Sequence, residues 1–178
     1  AGRTNLNGSA TPMGGMVLSI ERLKSSNIIV DKYNKTVTAP VGFFLEEMRL
    51  EVKKQSNNKL HYPVDPTSRK EAMIGGTVSC NASGFVPGIT GATRYWTHSI
   101  DFITLNGYKI SCERGQYISN NGQFILEYEN SNEKQILNVP TYSRPKIKNA
   151  SGPYSDENGK LDFIDLIVGS EGIFGLVS

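Results

Sequence analysis

The chain has 178 residues, a formal net charge of +2 at pH 7 and two cysteines. This length suits one domain with a buried core, and the near-balanced charge without a cluster of lysines or arginines argues against nucleic-acid binding. No apolar run approaches the roughly 20 residues that a membrane-spanning helix needs. Cys80 and Cys112 cannot form a disulfide framework, so two reduced structural thiols are favoured over a metal or redox site.

The opening stretch, residues 1–12, is rich in glycine, amides and hydroxyls. Gly2 and Gly8 permit tight turns, and successive backbone N–H groups with neighbouring polar side chains could surround a pyrophosphate. Turn residues also cluster for purely local reasons, so an ordinary surface loop is the alternative interpretation.

The next segments predict short strands and one helix. Residues 16–20 predict a strand, and residues 28–30 and 36–38 predict a hairpin around Asn34. From Val41 onward apolar residues recur at helical spacing, with acidic residues early and lysines late, as the helix dipole favours. We expect this helix to be scaffold and not a place for chemistry.

The stretch from His61 to Gly84 combines features that a planar, phosphate-bearing cofactor requires. Pro63 and Pro66 fix the backbone, and the Gly75-Gly76 pair leaves N–H groups with no Cβ in front of them. The small residues from Asn81 to Gly84 would let a second piece of backbone approach a ligand. This stretch therefore predicts a binding wall, with amides for the charge and missing side chains for the ring.

The downstream sequence predicts two hairpins, a short helix and a final strand. Asn106-Gly107 is the strongest short hairpin signal in the chain, and Gly169 to Gly172 separates the helix from the last strand. The predicted elements are residues 100–105 with 108–111, 123–128 with 135–139, 161–168, and 173–177. Helices mixed with antiparallel hairpins indicate an α+β domain.

Four blocks carry a family likeness: G-R-T-N-L-N-G-S-A-T-P (Gly2–Pro12), P-V-D-P-T-S…I-G-G-T-V-S-C-N-A-S-G (Pro63–Gly84), K-N-A-S-G-P-Y (Lys148–Tyr154) and G-S-E-G-I-F-G-L-V-S (Gly169–Ser178). In this order they resemble the FAD-binding domain of the vanillyl-alcohol oxidase and p-cresol methylhydroxylase flavoproteins, particularly the branch of D-lactate dehydrogenases and glycolate oxidase flavin subunits. The resemblance implies an FAD-binding domain of the p-cresol methylhydroxylase type, largely antiparallel sheet with flanking helices. Residues 1–178 would be a fragment of it, with the first parallel-strand lobe incomplete and the C-terminal substrate cap absent.

The resemblance also implies where FAD would bind. The pyrophosphate would sit on the first block, the flavin and ribityl region along the second, and the adenine near the final strand. The implied contact residues are Gly2, Arg3, Thr4, Asn5, Leu6, Asn7, Gly8, Ser9, Pro66, Thr67, Ser68, Gly75, Gly76, Asn81, Ala82, Ser83, Gly84 and Val177. No metal ligand is expected, and no catalytic residue is assigned because the family binds substrate mostly through the cap.

Three departures from the family pattern stand out. Arg3 intervenes in a loop that usually continues from glycine to threonine, serine or asparagine. Trp96 follows Tyr95 where the family usually has Tyr-Gly, and it would fill space or cover the flavin edge. The segment from Gln116 to Thr141 is longer than usual and is interpreted as a lineage insertion.

The implied function is a flavin-dependent oxidoreductase that oxidises a small 2-hydroxy acid, such as D-lactate or glycolate, by hydride transfer to FAD. The fragment alone would be inactive, and the electron acceptor is not indicated. Two alternatives stay open: a non-catalytic flavin- or nucleotide-binding subunit of a larger redox complex, and an enzyme similar to UDP-N-acetylenolpyruvylglucosamine reductase. His61 and His98 could be bases or flavin attachment points but suit surface positions, and Glu171 could bind a ribose hydroxyl or act as a cap.

Four glycosylation sequons begin at Asn7, Asn34, Asn81 and Asn149. Three of them fall in glycine-bearing stretches assigned to the cofactor side, where glycans would block binding. The sequence therefore predicts a cytoplasmic protein without a membrane span.

Overall fold

The computed structural model describes residues 2–5, 8, 11–128, 132, 134–147, 149 and 153–178. Its elements in chain order are β1 (Ile29–Asp31), β2 (Thr36–Thr38), α1 (Leu45–Gln55), α2 (Ile74–Ser79), a 3₁₀ turn (Ile89–Gly91), α3 (Thr93–Trp96), β3 (Ser99–Thr104), β4 (Lys109–Glu113), β5 (Gln123–Glu127), β6 (Lys134–Asn138), α4 (Phe163–Ile167) and β7 (Gly175–Val177). All strand pairs among the described residues are antiparallel, as predicted. No helix in this part of the chain is long and apolar enough to cross a membrane.

A three-stranded sheet in the order β4-β3-β7 forms the centre of the second half. Its inward positions alternate along β3, where Ile100 and Phe102 are buried. Phe102 pairs with Ile110 on one side and with Val177 on the other. Gly107 has a φ of 85° in the connecting turn, a conformation that glycine adopts without strain. The hairpin predicted around Asn106-Gly107 is confirmed.

The β5-β6 hairpin, within the segment interpreted as an insertion, contributes to the same core. Phe124 and Leu126 point inward and are 1% and 2% exposed, whereas Ile125 and its partner Ile136 face outward. The base of the segment is closed at Ser119, whose hydroxyl accepts from the Leu161 N–H at 2.7 Å and whose N–H donates to the Leu161 carbonyl at 2.8 Å. The segment is therefore an integral part of the domain.

Two hydrophobic cores organise the described part of the chain. The smaller core packs α1 against the β1-β2 hairpin, with Ile28, Leu45, Met48 and Val52 buried. The larger core lies between the sheet, the β5-β6 hairpin and α4, and Phe163 contacts the rings of Phe102, Tyr117 and Phe124 there. Helix α2 touches both, because Ile74 packs against the smaller core and Val78 belongs to the larger one.

The strand predicted at residues 16–20 is wrong. The segment forms no strand, and Met16, Val17 and Leu18 are 86%, 69% and 70% exposed. Apolar residues predicted a strand, but a strand also requires a neighbour for its N–H and C=O groups, and none of the described segments pairs with this one.

Helix α1 begins at Leu45 and not at Val41. The carbonyls of Val41 and Phe43 accept hydrogen bonds from the N–H groups of Gly75 and Ile74, at 3.0 and 2.9 Å. These hydrogen bonds hold the turn at residues 41–43 against the start of α2, and Phe44 forms a β-bridge with Met73. Phe44 then opens the helix, and its N–H donates to Glu47 Oε2 at 2.8 Å.

Candidate functional site

The first sequence block lies beside α2. The Gly2 N–H donates to the Glu71 carbonyl at 3.0 Å, and the Asn5 side-chain amide donates to Cys80 Sγ at 3.0 Å. Gly8 has a φ of 82°, and nothing lies within 4 Å of where its Cβ would be. Leu6, Asn7 and Ser9 lie outside the described residues. The block predicted to hold a pyrophosphate is thus placed along the C-terminal half of the second block.

The fourth block contacts the C-terminal end of α2. The Gly169 N–H donates to the Val78 carbonyl at 3.1 Å, and the Glu171 N–H donates to the Ser79 carbonyl at 2.8 Å. A Cβ on Gly169 would lie 3.2 Å from Asn81 Cβ. Residues about 90 positions apart in the chain therefore form one continuous surface.

The third block reaches the same place through a cavity of about 270 Å³. Its described residues Asn149 and Tyr154 line the cavity together with Asn81 of the second block, while Lys148 and residues 150–152 lie outside the described part of the chain. The lining residues are Asn81, Ile89, Ala92, Arg94, Tyr95, Arg114, Asn149, Tyr154 and Asp165. The structure thus brings described residues of all four blocks together around α2 and Asn81.

The two glycines of the Gly75-Gly76 pair have different reasons to lack a side chain. A Cβ on Gly75 would lie 2.9 Å from Val41 Cβ and 3.0 Å from Ile20 Cδ1, and the Gly75 N–H is already bonded to Val41. Gly75 is therefore required by packing inside the protein. Nothing lies within 4 Å of a Cβ built on Gly76, so only the second glycine leaves open space on the surface of α2.

Two further glycines of the predicted site also lie in close contact with other parts of the protein. A Cβ on Gly84 would lie 1.7 Å from the Asp65 carbonyl oxygen, and one on Gly2 would lie 2.5 Å from Glu71 Cβ. Pro66 is buried, and its carbonyl accepts from the Arg69 N–H at 3.1 Å in the turns that precede α2, with Thr67 exposed and Ser68 half-buried. The idea that every small residue here faces a ligand does not hold for Gly2, Gly75 and Gly84.

Asn81 is the most constrained residue of the second block. It has a φ of 47°, in the left-handed region that asparagine tolerates better than most residues, and it is 8% exposed. Its side-chain oxygen accepts from the Arg94 N–H at 2.9 Å. Its amide nitrogen has no hydrogen-bond partner among the described residues, and Asn81 lines the cavity. Ala82 continues this loop and bonds to Thr93 through its carbonyl at 3.0 Å, while Ser83 is exposed.

The sequence did not predict the cluster of charged side chains that lines part of the cavity. Asp165 contacts Arg94 at 3.3 Å and Arg114 at 2.9 Å. Burial lowers the pKa of Arg94, and the charge of Asp165 opposes that shift. A single acidic residue within the otherwise apolar run F-I-D-L-I of α4 was the available signal, since a charge on such a short apolar helix requires a partner.

The remaining candidates are placed plainly. Val177 is 6% exposed in β7, so its side chain belongs to the core. His61, His98 and Glu171 are exposed, and Trp96 is 44% exposed with its Nε1 donating to the Thr90 carbonyl at 2.7 Å. Within the described ranges no group of three or more His, Cys, Asp or Glu side chains could hold a metal ion.

Comparison with known proteins assigns this arrangement to a family. A family model described as "FAD binding domain" matches residues 1–113. D-2-hydroxyglutarate dehydrogenase of Xanthomonas citri pv. viticola is 30% identical over 177 residues, which are 99% of this chain and 29% of that protein. Glycolate oxidase subunit GlcD of Bacillus subtilis is 30% identical over 105 residues, 58% of this chain and 22% of that protein. No solved structure matches.

The family match identifies this antiparallel α+β domain, whose glycine-bearing blocks meet at one short helix, as a flavin-binding domain. The chain belongs to the FAD-binding domain family of the vanillyl-alcohol oxidase and p-cresol methylhydroxylase flavoproteins, so the resemblance found in the sequence is confirmed. Its cofactor is FAD. Its relatives named above carry the names of hydroxy-acid dehydrogenases or oxidases, and the chain spans less than a third of the length of either.

The residues present fit FAD. The open space before Gly76 and Gly8 would be filled by any Cβ, which is what a surface in close contact with a ligand requires. The Asn81 amide nitrogen, which has no hydrogen-bond partner within the described ranges, would supply a donor next to the cavity, and ring oxygens and nitrogens of a flavin are acceptors for such a donor.

Proposed function

We propose that this chain is the FAD-binding part of an oxidoreductase that oxidises a small 2-hydroxy acid of the D-lactate or glycolate kind. The observation that carries the proposal is the meeting of all four family blocks around α2, with open space at Gly76. The names of the two relatives support the choice of substrate class. Substrate would reach the flavin through a cap domain outside residues 1–178, so we assign no catalytic residue to this chain.

When bound, FAD supplies the redox chemistry by accepting a hydride from the α-carbon of the hydroxy acid. The residues of this chain would bind and orient it. The first block would hold the pyrophosphate through backbone N–H groups between Gly2 and Gly8, and Gly76 with Asn81 to Ser83 would face the ring system. Packing of these segments against each other would exclude water from one face of the ring.

We further propose that residues 1–178 form a fragment of a single FAD-binding domain, with the parallel-strand lobe incomplete, and that the protein is cytoplasmic. A glycan at the Asn81 sequon is incompatible with the fold, because Asn81 is 8% exposed and its side-chain oxygen accepts from the Arg94 N–H.

A spectroscopic experiment tests the proposal. Purified full-length protein, including the cap domain, should show the visible absorbance bands of bound flavin or acquire them on addition of FAD. Under anaerobic conditions the bands should bleach with D-lactate, glycolate or D-2-hydroxyglutarate. A colourless protein that cannot be reconstituted would contradict the proposal. Bound flavin that none of these acids reduces would favour the alternative of a non-catalytic flavin-binding subunit.

A second experiment tests where the ring lies. Gly76→Val should weaken FAD binding at least about tenfold, because overfilling a packed contact costs about 1–3 kcal/mol. Gly76→Ala, a smaller addition at the same place, should weaken binding less. Thermal unfolding without FAD is the control for folding, since neither side chain meets protein atoms within 4 Å of the added Cβ. Equal affinity in all three proteins would show that the ring does not contact α2.

A further inference from the structure

Arg94 lies between the second and fourth blocks, which we propose to face FAD. Its backbone N–H donates to Asn81 Oδ1 at 2.9 Å, and its guanidinium donates to the carbonyl oxygens of Asp165 and Val168. Gly169 follows directly, and a Cβ there would lie 3.1 Å from Arg94 Nη2. One residue therefore contacts both the second block and the start of the fourth.

The contacts of Arg94 involve two residues with left-handed backbone conformations. Asn81 has a φ of 47° and Gly169 a φ of 87°, so both stand in the left-handed region. The carbonyls that Arg94 binds are at the C-terminal end of α4, where helix carbonyls lack intrahelical partners. Capping this end fixes the direction in which the chain leaves α4 for the Gly169 turn.

Charged and aromatic side chains surround the Arg94 guanidinium. Its side chain is 9% exposed and is paired with Asp165, which also binds Arg114. Arg114 also bonds to the backbone of Arg94: its Nη2 donates to the Arg94 carbonyl at 3.0 Å. Its Nε donates to the Thr97 carbonyl at 3.1 Å. The face of Tyr154, a residue of the third block, lies 4.5 Å from Arg94 Cζ. Arg94 thus contacts residues from three of the four blocks.

We infer that Arg94 is a positioning residue for FAD: it holds Asn81, the Gly169 turn and Tyr154 at a fixed separation, and so sets the shape of the cavity between them. This inference rests on the proposed function. Arg94 donates from Nη1 and Nη2 to Asp165 and Val168, while its buried Nε has no hydrogen-bond partner among the described residues. It would act on the cofactor through the residues it holds. Loss of the side chain would leave the backbone hydrogen bond to Asn81 in place but remove the contacts with the Val168 carbonyl and Tyr154. The Gly169 turn, which lies against Asn81, should then relax, and the site should bind FAD less well.

The experiment compares the wild-type protein with Arg94→Met, Arg94→Lys and Ser119→Ala. Met keeps much of the volume and removes every donor, whereas Lys keeps the charge and can reach fewer carbonyls. Ser119→Ala is the matched control: it removes another buried polar side chain, which bridges Gly159 and Leu161 away from the cavity. Each protein is titrated with FAD by quenching of flavin fluorescence, and circular dichroism of the bound flavin is recorded at saturation.

We expect Arg94→Met to raise the Kd for FAD about tenfold and to change the visible circular dichroism of bound flavin, with Arg94→Lys in between. Ser119→Ala should lower the melting temperature yet leave both the Kd and the flavin spectrum unchanged. If Arg94→Met does not fold, Arg94→Lys and Asp165→Asn decide by the same readouts. Unchanged affinity and spectrum in the folded Arg94 variants would overturn the inference. A wild-type protein that binds no FAD would instead overturn the proposed function.

Discussion

The two hydrophobic cores differ in what they support. The smaller core, around α1 and the β1-β2 hairpin, includes Phe43, whose carbonyl accepts from the Ile74 N–H at the start of α2. The larger core backs α4 and β7, from which the fourth block emerges. Because α2 packs on both cores, the surface that we propose for FAD lies where the cores meet, and its geometry depends on each. A ligand in that crevice should therefore stabilise both halves at once.

Removing a ring from the larger core should have the largest effect. Phe163→Ala deletes a side chain that is 2% exposed and contacts three other aromatic rings, so the free energy of unfolding should fall by about 3–5 kcal/mol. Urea unfolding followed by circular dichroism measures this loss. Leu45→Ala makes the comparison with the smaller core, where about 2–5 kcal/mol is expected. A cost for Phe163→Ala below about 1 kcal/mol would show that the larger core is poorly packed.

Gly75→Ala should break the contact between α2 and the preceding segment at an intermediate cost. The added methyl group would lie 2.9 Å from Val41 Cβ, and overpacking of this kind costs about 1–3 kcal/mol. Gly76→Ala is the neighbouring control, and it should be neutral or stabilising by up to about 1 kcal/mol because alanine favours helix. Equal stability of the two variants would contradict the assignment of Gly75 to packing.

An ion pair on the side of the smaller core predicts a pH dependence. A hydrogen bond from Arg49, and then the charges of Arg49 and Arg69, lower the pKa of Asp65 below its ordinary value. The folded state thus binds this proton more weakly than the unfolded chain does. The stabilisation is complete above the unfolded pKa of about 3.9 and is lost as the pH falls through the folded pKa.

Asp65→Asn should therefore lower the free energy of unfolding by about 1 kcal/mol at pH 7 and flatten its decline below about pH 4. Chemical denaturation between pH 2.5 and pH 7 provides the measurement. Glu127→Gln, in the exposed pair with Lys134, is the control and should change stability little. If both variants keep the wild-type pH profile, the Asp65 pair does not join α1 to the second block energetically.

The smallest effect concerns thiol labelling. Burial raises the pKa of Cys80, a hydrogen bond from Asn5 opposes the shift, and the charge of Glu171 adds to it. Iodoacetamide should thus label Cys80 slowly at pH 7 and faster above about pH 8.5, while Cys112, which is 4% exposed and has a pKa of about 12, stays unlabelled. Bound FAD should slow the labelling of Cys80 several-fold, as measured by mass spectrometry. A labelling rate that is the same with and without FAD would place the cofactor away from the first block.

Local signals in the sequence predicted much of the fold. The Asn106-Gly107 turn and the helical spacing after Val41 depend on neighbours in the chain, and both predictions are confirmed. Helix α2 was not predicted, because two glycines lower helix propensity and only contacts with Val41 and the two cores favour the helix there. The strand at residues 16–20 failed for the complementary reason, since its pairing partner could not be deduced from its own residues.

The site was predicted only in outline. The four blocks were recognisable as motifs, but their meeting around α2 depends on bonds between residues far apart, and Arg94 and Asp165 are separated by 71 positions. A missing side chain is also ambiguous in a sequence. Gly75 and Gly76 read alike, yet one packs against Val41 and the other leaves an open surface.

The closed base at Ser119 and Leu161 makes the long β5-β6 segment tolerant of change at its tip. The strands supply core side chains, whereas Asn132, between β5 and β6, is exposed. Because Ser119 is bonded to Leu161 and the Val139 N–H donates to the Gly122 carbonyl at 2.7 Å, the strands are held at their base, and residues added near Asn132 would cost little beyond loop entropy, which grows slowly with length. The tip is therefore a natural attachment point for a fluorescent reporter or an affinity tag on this domain.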